Sequence, residues 1–168
     1  MKIFVAGQPG CGKSTFINEL TRELRKKKKV AGFITPEIRE RKDKERSGFL
    51  IKDVTTGKEV ILASKKLKEG PKFGNYRINL AGINEIIDEL EKQISGAEVI
   101  IIDEIGKMEM FSEKFKKIIA KLLTSKKPLI ASLHRSYVGK YKSLGKVFWL
   151  TKENKEEVKR EILKSLEA

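Results

Sequence analysis

Gly7-Gln8-Pro9-Gly10-Cys11-Gly12-Lys13-Ser14 matches the phosphate-loop pattern G-x-x-x-x-G-K-[ST] at every fixed position. Its flanks suit the motif. Lys2-Ile3-Phe4-Val5-Ala6 reads as a short buried strand, and Phe16, Ile17, Leu20 and Leu24 recur at helical spacing. Strand, glycine loop and helix together make a workable phosphate cradle. Glycines let the backbone curl so that successive N–H groups point inward. The helix start adds the positive end of its dipole at the same place. In such a cradle Lys13 reaches the β and γ phosphates, the Ser14 hydroxyl ligates Mg2+, and Thr15 is a further phosphate contact. The nucleotide-binding candidates are therefore Gly7, Gln8, Pro9, Gly10, Cys11, Gly12, Lys13, Ser14 and Thr15.

Downstream of the loop the pattern alternates. Val30 to Thr35 reads as a strand ended by Pro36, and the charged stretch from Glu37 to Arg46 as an exposed loop or hairpin. Gly48 to Val54 and Lys58 to Ala63 flank Thr55-Thr56-Gly57, which signals a β-hairpin. Phe73 to Asn79 adds a further short strand, so the region around 36–79 reads as an inserted antiparallel β region in a single-domain chain.

Helix and strand then alternate again. Ile83, Ile86, Ile87, Leu90 and Ile94 mark an amphipathic helix. Ala97 to Ile102 is nearly continuous apolar, as a strand covered on both faces should be. Phe111, Phe115, Ile118, Ile119, Leu122 and Leu123 mark the next helix. Pro128 to Leu133 and Lys146 to Leu150 are strands, and Val158, Ile162 and Leu166 line a last helix. The expected fold is a three-layer α/β/α arrangement around a mostly parallel sheet.

The companion to the loop is Val99-Ile100-Ile101-Ile102-Asp103-Glu104. A buried strand ending in an acid delivers a carboxylate to the carboxyl edge of the sheet, where ligands bind in open α/β folds. Asp103 is the expected Mg2+ partner of Ser14. Metal ligation needs one acid, so the adjacent Glu104 is free to take a proton from an attacking water. That favours hydrolysis of a γ-phosphate over transfer to a bound acceptor. The long gap from Lys13 to Asp103 leaves room for extra strands between them, as in the additional-strand division of phosphate-loop proteins.

Weaker candidates follow. Ser132 and His134 stand at the end of the next strand, positioned to sense the γ-phosphate. Arg39, Arg46, Arg77 and Arg135 are cations able to stabilise transition-state charge. Thr151-Lys152-Glu153-Asn154 follows the last strand, where these residues either touch a base or cap the final helix.

Composition narrows the class. Lys and Arg number 37 against 23 Asp and Glu, a formal charge of +14, which attracts polyanions such as nucleotides or nucleic acid. Aromatics are 7%, too few to favour a base-stacking platform. The charged fraction of 36% and the abundance of Lys and Glu are thermophile-like. The lone cysteine, Cys11, forbids an internal disulfide, and no apolar run is long enough for a membrane span. A cytoplasmic monomer without membrane association is the expectation.

The ordered series of motifs resembles a known family. After the loop come Gly32-Phe33-Ile34-Thr35-Pro36-Glu37-Ile38-Arg39, Arg46-Ser47-Gly48-Phe49 and Phe73-Gly74-Asn75-Tyr76. Asp103-Glu104-Ile105-Gly106-Lys107-Met108-Glu109 and the Ser132 to His134 strand end complete it. Together they look like the small nucleoside-triphosphatase family of thermophiles and archaea, whose animal relative is called cancer-related nucleoside-triphosphatase. The resemblance implies a RecA-like P-loop NTPase fold and Mg2+-dependent hydrolysis of ATP, GTP and other NTPs with weak base discrimination. It places nucleotide binding on the loop and Asp103, metal on Ser14 and Asp103, and catalysis on Lys13 and Glu104. Lys155 stands where the family pattern leads one to expect Arg after Asn154. The competing readings are a nucleotide or small-molecule kinase and a slow NTPase switch associated with RNA or DNA.

Overall fold

Residues 1–39 and 45–167 are described by the computed structural model. In chain order they form β1 (Lys2–Gly7), α1 (Lys13–Arg25), β2 (Val30–Ile34), β3 (Glu37–Arg39), β4 (Arg46–Asp53), β5 (Glu59–Ser64), β6 (Lys72–Phe73) and β7 (Tyr76–Ile78). Then come α2 (Leu80–Gln93), β8 (Val99–Ile105), α3 (Glu113–Thr124), β9 (Leu129–Leu133), α4 (Val138–Tyr141), β10 (Lys146–Leu150) and α5 (Lys155–Glu167).

Among the described residues the strands join one sheet in the order β10-β1-β9-β8-β2-β4-β5-β7-β6, with β3 also on β4. The first five run parallel. From β4 onward the pairing is antiparallel, which makes a wing on one side of the parallel core.

Side-chain alternation sorts the parallel core into two faces. Ile3, Val5, Val99 and Ile101 pack with Phe16, Ile17, Leu20 and Leu24 of α1 and with Val158 and Ile162 of α5. Phe4, Ala6, Ile100 and Ile102 pack with Ile83, Ile86 and Ile87 of α2 and with Phe115 and Ile118 of α3. The three-layer expectation holds, and it explains why β8 reads as unbroken hydrophobe: alternate residues serve opposite cores. Capping fixes where two helices begin. Asn79 accepts from Gly82 N at 3.1 Å before α2, and Ser112 accepts from Phe115 N at 3.1 Å before α3.

Several expectations need correction. The strand between β1 and β8 is β9, which follows Asp103 in sequence. The expectation of extra strands in the long gap after Lys13 is borne out by β2 and the wing, and the added strand between β1 and β8 in the sheet is reached through α3. Of the Glu37–Arg46 stretch, the ends form the β3–β4 hairpin, with Glu37 opposite Phe49, and residues 40–44 lie outside the described residues. Pro36 ends β2 as expected, and the chain then resumes as β3 along the same strand β4. The Phe73–Asn79 stretch is two short strands that pair with each other through a turn at Gly74-Asn75. Phe111 lies in a 3-10 turn ahead of α3 and is exposed, its ring edge-on to Phe73. No helix among the described residues is long and apolar enough to cross a membrane.

Candidate functional site

The site forms where β1, β8 and β9 end at the carboxyl edge of the sheet. β1 runs to Gly7, the loop turns with Cys11 N donating to Gln8 O at 3.1 Å, and Phe16 N donates to Gly12 O at 2.9 Å as α1 begins. Gly12 caps α1 in the left-handed region (φ 90°), and the position a Cβ would take there is occupied by Lys155 Nζ from α5. The left-handed backbone favours glycine, and a side chain there would also push the end of Lys155 aside. The first turn of α1 carries no acidic residue, so the positive helix end faces the cleft without an internal counter-charge.

Lys13 reaches across the sheet edge. Its Nζ donates to Leu133 O at 2.9 Å and lies 3.0 Å from Glu104 Oε2. Asp103, one residue earlier on β8, is buried, and Ser132 Oγ on neighbouring β9 donates to its Oδ1 at 2.6 Å. The Ser14 side chain also favours the ionised Asp103 carboxylate, as the smallest of the named influences on it. Thr35 Oγ1, at the end of β2, holds the Asp103 carbonyl at 3.0 Å. The Asp103–Glu104 peptide is cis.

Burial governs the electrostatics. Desolvation pushes Asp103 up to about 6, opposed chiefly by the Ser132 hydrogen bond and reinforced by the Glu104 charge. Glu109, in the turn after β8, is pushed to about 8 by desolvation and then by the Glu104 charge. Gly106 lets these two acids converge: a side chain there would collide with Glu109 Oε2 and Glu104 Oε1. His134 is lowered, first by desolvation. Ser136 N donates to its Nδ1 at 3.2 Å, so the neutral ring carries its proton on Nε2.

The cleft has a volume of about 440 Å³. Gly7, Gln8, Pro9, Gly10, Gly12, Lys13, Ser14 and Thr15 line it, together with Glu37, Arg46, Glu104, His134 and Arg135. Cys11 does not: its side chain is buried in the core beside α1, leaving only backbone for a ligand. Ser132 is fully buried and engaged with Asp103, which corrects the reading of it as a γ-phosphate sensor; it orients the acid instead.

The arginines divide. Arg46 reaches the cleft wall while bonded to Glu37 at 3.2 Å, and Arg135 reaches it while bonded to Gln8 Oε1 at 3.0 Å. Arg39 pairs with Glu37 at 3.0 Å and is not on the wall. Arg77 donates to Gly70 O at 2.9 Å in the wing, away from the phosphate loop, so it drops out.

Asn154 is committed to the turn into α5. It accepts from Thr151 N at 2.8 Å and donates to Trp149 O at 2.9 Å, the bonds that the capping reading expects. Two residues escaped the sequence reading of the site. Glu37 reads in the sequence as part of a charged stretch, and its motif carries no role for it. Glu109 was quoted in the motif without a role, although an acid flanked by Met108 and Met110 hints at burial.

A family model described as NTPase matches residues 2–163. The nucleoside-triphosphatase THEP1 of Pyrococcus abyssi is 41% identical over 97% of this chain and 90% of the relative. The THEP1 of Methanocaldococcus jannaschii is 38% identical over 99% and 97%. Among solved structures, THEP1 from Aquifex aeolicus superposes with a TM-score of 0.83 at 31% identity, covering 100% of both chains. A human cancer-related nucleoside triphosphatase superposes with a TM-score of 0.75 at 26% identity, covering 98% of this chain and 96% of that one.

Proposed function

The chain belongs to the NTPase family, and from that premise we propose that it hydrolyses nucleoside triphosphates to the diphosphate and phosphate, with Glu104 as the base. The observation that carries this reading is the convergence of Lys13, Glu104 and the buried Asp103 on one end of the phosphate loop.

Mg2+ fits the residues present. Asp103 is a buried carboxylate bonded to the Ser132 hydroxyl, with the Ser14 side chain near it and no ion pair of its own among the described residues, and oxygen donors of this kind suit a hard cation. Ser14 and Asp103 would hold it, and when bound it supplies positive charge beside the β and γ phosphate oxygens.

The chain's own groups account for the rest. The loop amides and the α1 N-terminus take the α and β phosphates, and Lys13 turns from Glu104 to the terminal phosphate. Released from that ion pair, Glu104 accepts the proton of a water whose oxygen bonds to the γ-phosphorus. The bond from the γ-phosphorus to the bridging oxygen breaks, and its electron pair leaves with the nucleoside diphosphate. Arg46 and Arg135, on the cleft wall, offset charge as it spreads. We take the chain to work as a single domain in the cytoplasm, a reading supported by the one continuous sheet of the described residues and by the lone cysteine.

The test is phosphate release from ATP and GTP with and without Mg2+, in the parent and in Glu104→Gln. Release that needs the metal and falls at least a hundredfold in the variant is the expected result. Undiminished turnover by Glu104→Gln removes the base assignment.

A further inference from the structure

A second cavity, of about 290 Å³, adjoins the phosphate cleft and shares only Arg46, Glu104 and His134 with it. Its far wall belongs to the antiparallel wing: Phe49 on β4, Leu62 on β5, Phe73 on β6 and Tyr76 on β7. Hydrolysis by water alone needs none of these side chains.

The position of this cavity is informative. The α1 N-terminus takes the α and β phosphates and Lys13 the β and γ, so the nucleoside extends away from Glu104. On that placement the second cavity, which shares Glu104 with the cleft, falls on the terminal-phosphate side of a bound nucleotide. We infer that it is an acceptor site for an uncharged aromatic alcohol of nucleoside size, whose hydroxyl takes the place of water beside Glu104 and receives the γ-phosphoryl group. This rests on Glu104 being the base.

The lining sets the ligand class. Phe49 and Tyr76 stand 5.7 Å apart in a tilted pair, and Phe73 adds a third ring, which suits a planar ring system. The lining carries charge of both signs, the Glu104 carboxylate against Lys107, while buried Glu109, raised to about 8, holds its proton, so a ligand without net charge that offers hydroxyl or amino donors suits it. The Arg46 charge is already engaged by Glu37 and lies over the Phe49 ring at 5.3 Å. In the transfer the acceptor oxygen bonds to the γ-phosphorus and the bridging P–O bond breaks. The electron pair stays on the diphosphate, and the hydroxyl proton goes to Glu104.

The experiment incubates the full chain with Mg2+, γ-labelled ATP and, singly, adenosine, guanosine, cytidine, uridine and thymidine. Labelled nucleoside monophosphate is then separated from labelled phosphate. The expected result is label in at least one nucleoside at the expense of phosphate, with the transferred share falling tenfold or more in Phe73→Ala. Should that variant not fold, Phe73→Leu keeps apolar volume, removes the ring face and gives the same readout. No label in any nucleoside overturns the proposal, as does nucleoside binding without transfer, or a transferred share indifferent to Phe73. Failure of the base assignment reads differently: Glu104→Gln would then retain both phosphate release and any transfer.

Discussion

Lys13 Nζ stands 3.0 Å from Glu104 Oε2, so the two residues central to phosphate chemistry neutralise each other before a nucleotide arrives. Both are partly shielded, with side-chain exposures of 18% and 29%. In the proposed mechanism binding exchanges this pair for one between Lys13 and the terminal phosphate. Glu104→Gln should therefore lower kcat by about 10²- to 10⁴-fold while KM changes little. Lys13→Ala should lower kcat/KM and weaken nucleotide binding together. Steady-state kinetics with direct titration of a non-hydrolysable triphosphate separates the two outcomes.

Gly12→Ala should weaken nucleotide binding about fivefold or more. The left-handed backbone at Gly12 costs an alanine about 1 kcal/mol or more, and the new methyl would push the end of the Lys155 side chain aside. Titration calorimetry with ATP should show the weaker binding, and normal affinity would mean that the loop takes another shape with ligand bound.

Ser132→Ala should act through Asp103. It strips the fully buried acid of a 2.6 Å hydrogen bond and leaves one oxygen without that donor. A loss of about 1–3 kcal/mol in stability follows, and the Mg2+ concentration for half-maximal activity should rise. Thermal unfolding and a Mg2+ titration of activity read the two effects. An unchanged Mg2+ requirement would show that Ser132 does not orient the acid.

Glu109 gives stability a pH dependence. Its native value is raised to about 8 from an ordinary 4.5, mainly by desolvation. Between those values the native state holds a proton that the unfolded chain has released. Stability from this group is thus full below pH 4.5 and is lost as pH rises through about 8, at a slope of up to about 1.4 kcal/mol per pH unit. Glu109→Gln, which mimics the protonated acid, should flatten that slope. Denaturant unfolding at pH 6 and pH 9 measures it, and parallel losses in parent and variant would refute it.

Asn154→Ala should destabilise the fold by about 1 kcal/mol while nucleotide affinity stays within twofold, because its amide holds the turn into α5. A larger loss of affinity for ATP than for tripolyphosphate would restore the base-contact role.

The loop and the acid strand were legible in the sequence because each is local. Glycine spacing, a helix period after Lys13 and a two-face apolar run ending in Asp103 need no knowledge of what packs where. The same locality explains what the sequence leaves open. Asn154 has capping and binding readings, and only its partners in the fold show the capping bonds. Ser132 was marked as polar at a strand end, but which way it faces depends on strand order.

The sequence by itself determined that residues 7–14 match a phosphate loop between a strand and a helix, that an acid pair follows a buried apolar run, and that helices cover both faces of a sheet. Tertiary structure decided the rest. Insertion of β9 between β1 and β8 brings Ser132 to Asp103 and Leu133 O to Lys13. The folded wing brings Phe49, Phe73 and Tyr76 to the far side of Glu104. These meetings join residues far apart in the chain. Strand pairing and the exclusion of water fix them, and neither leaves a periodic trace in sequence.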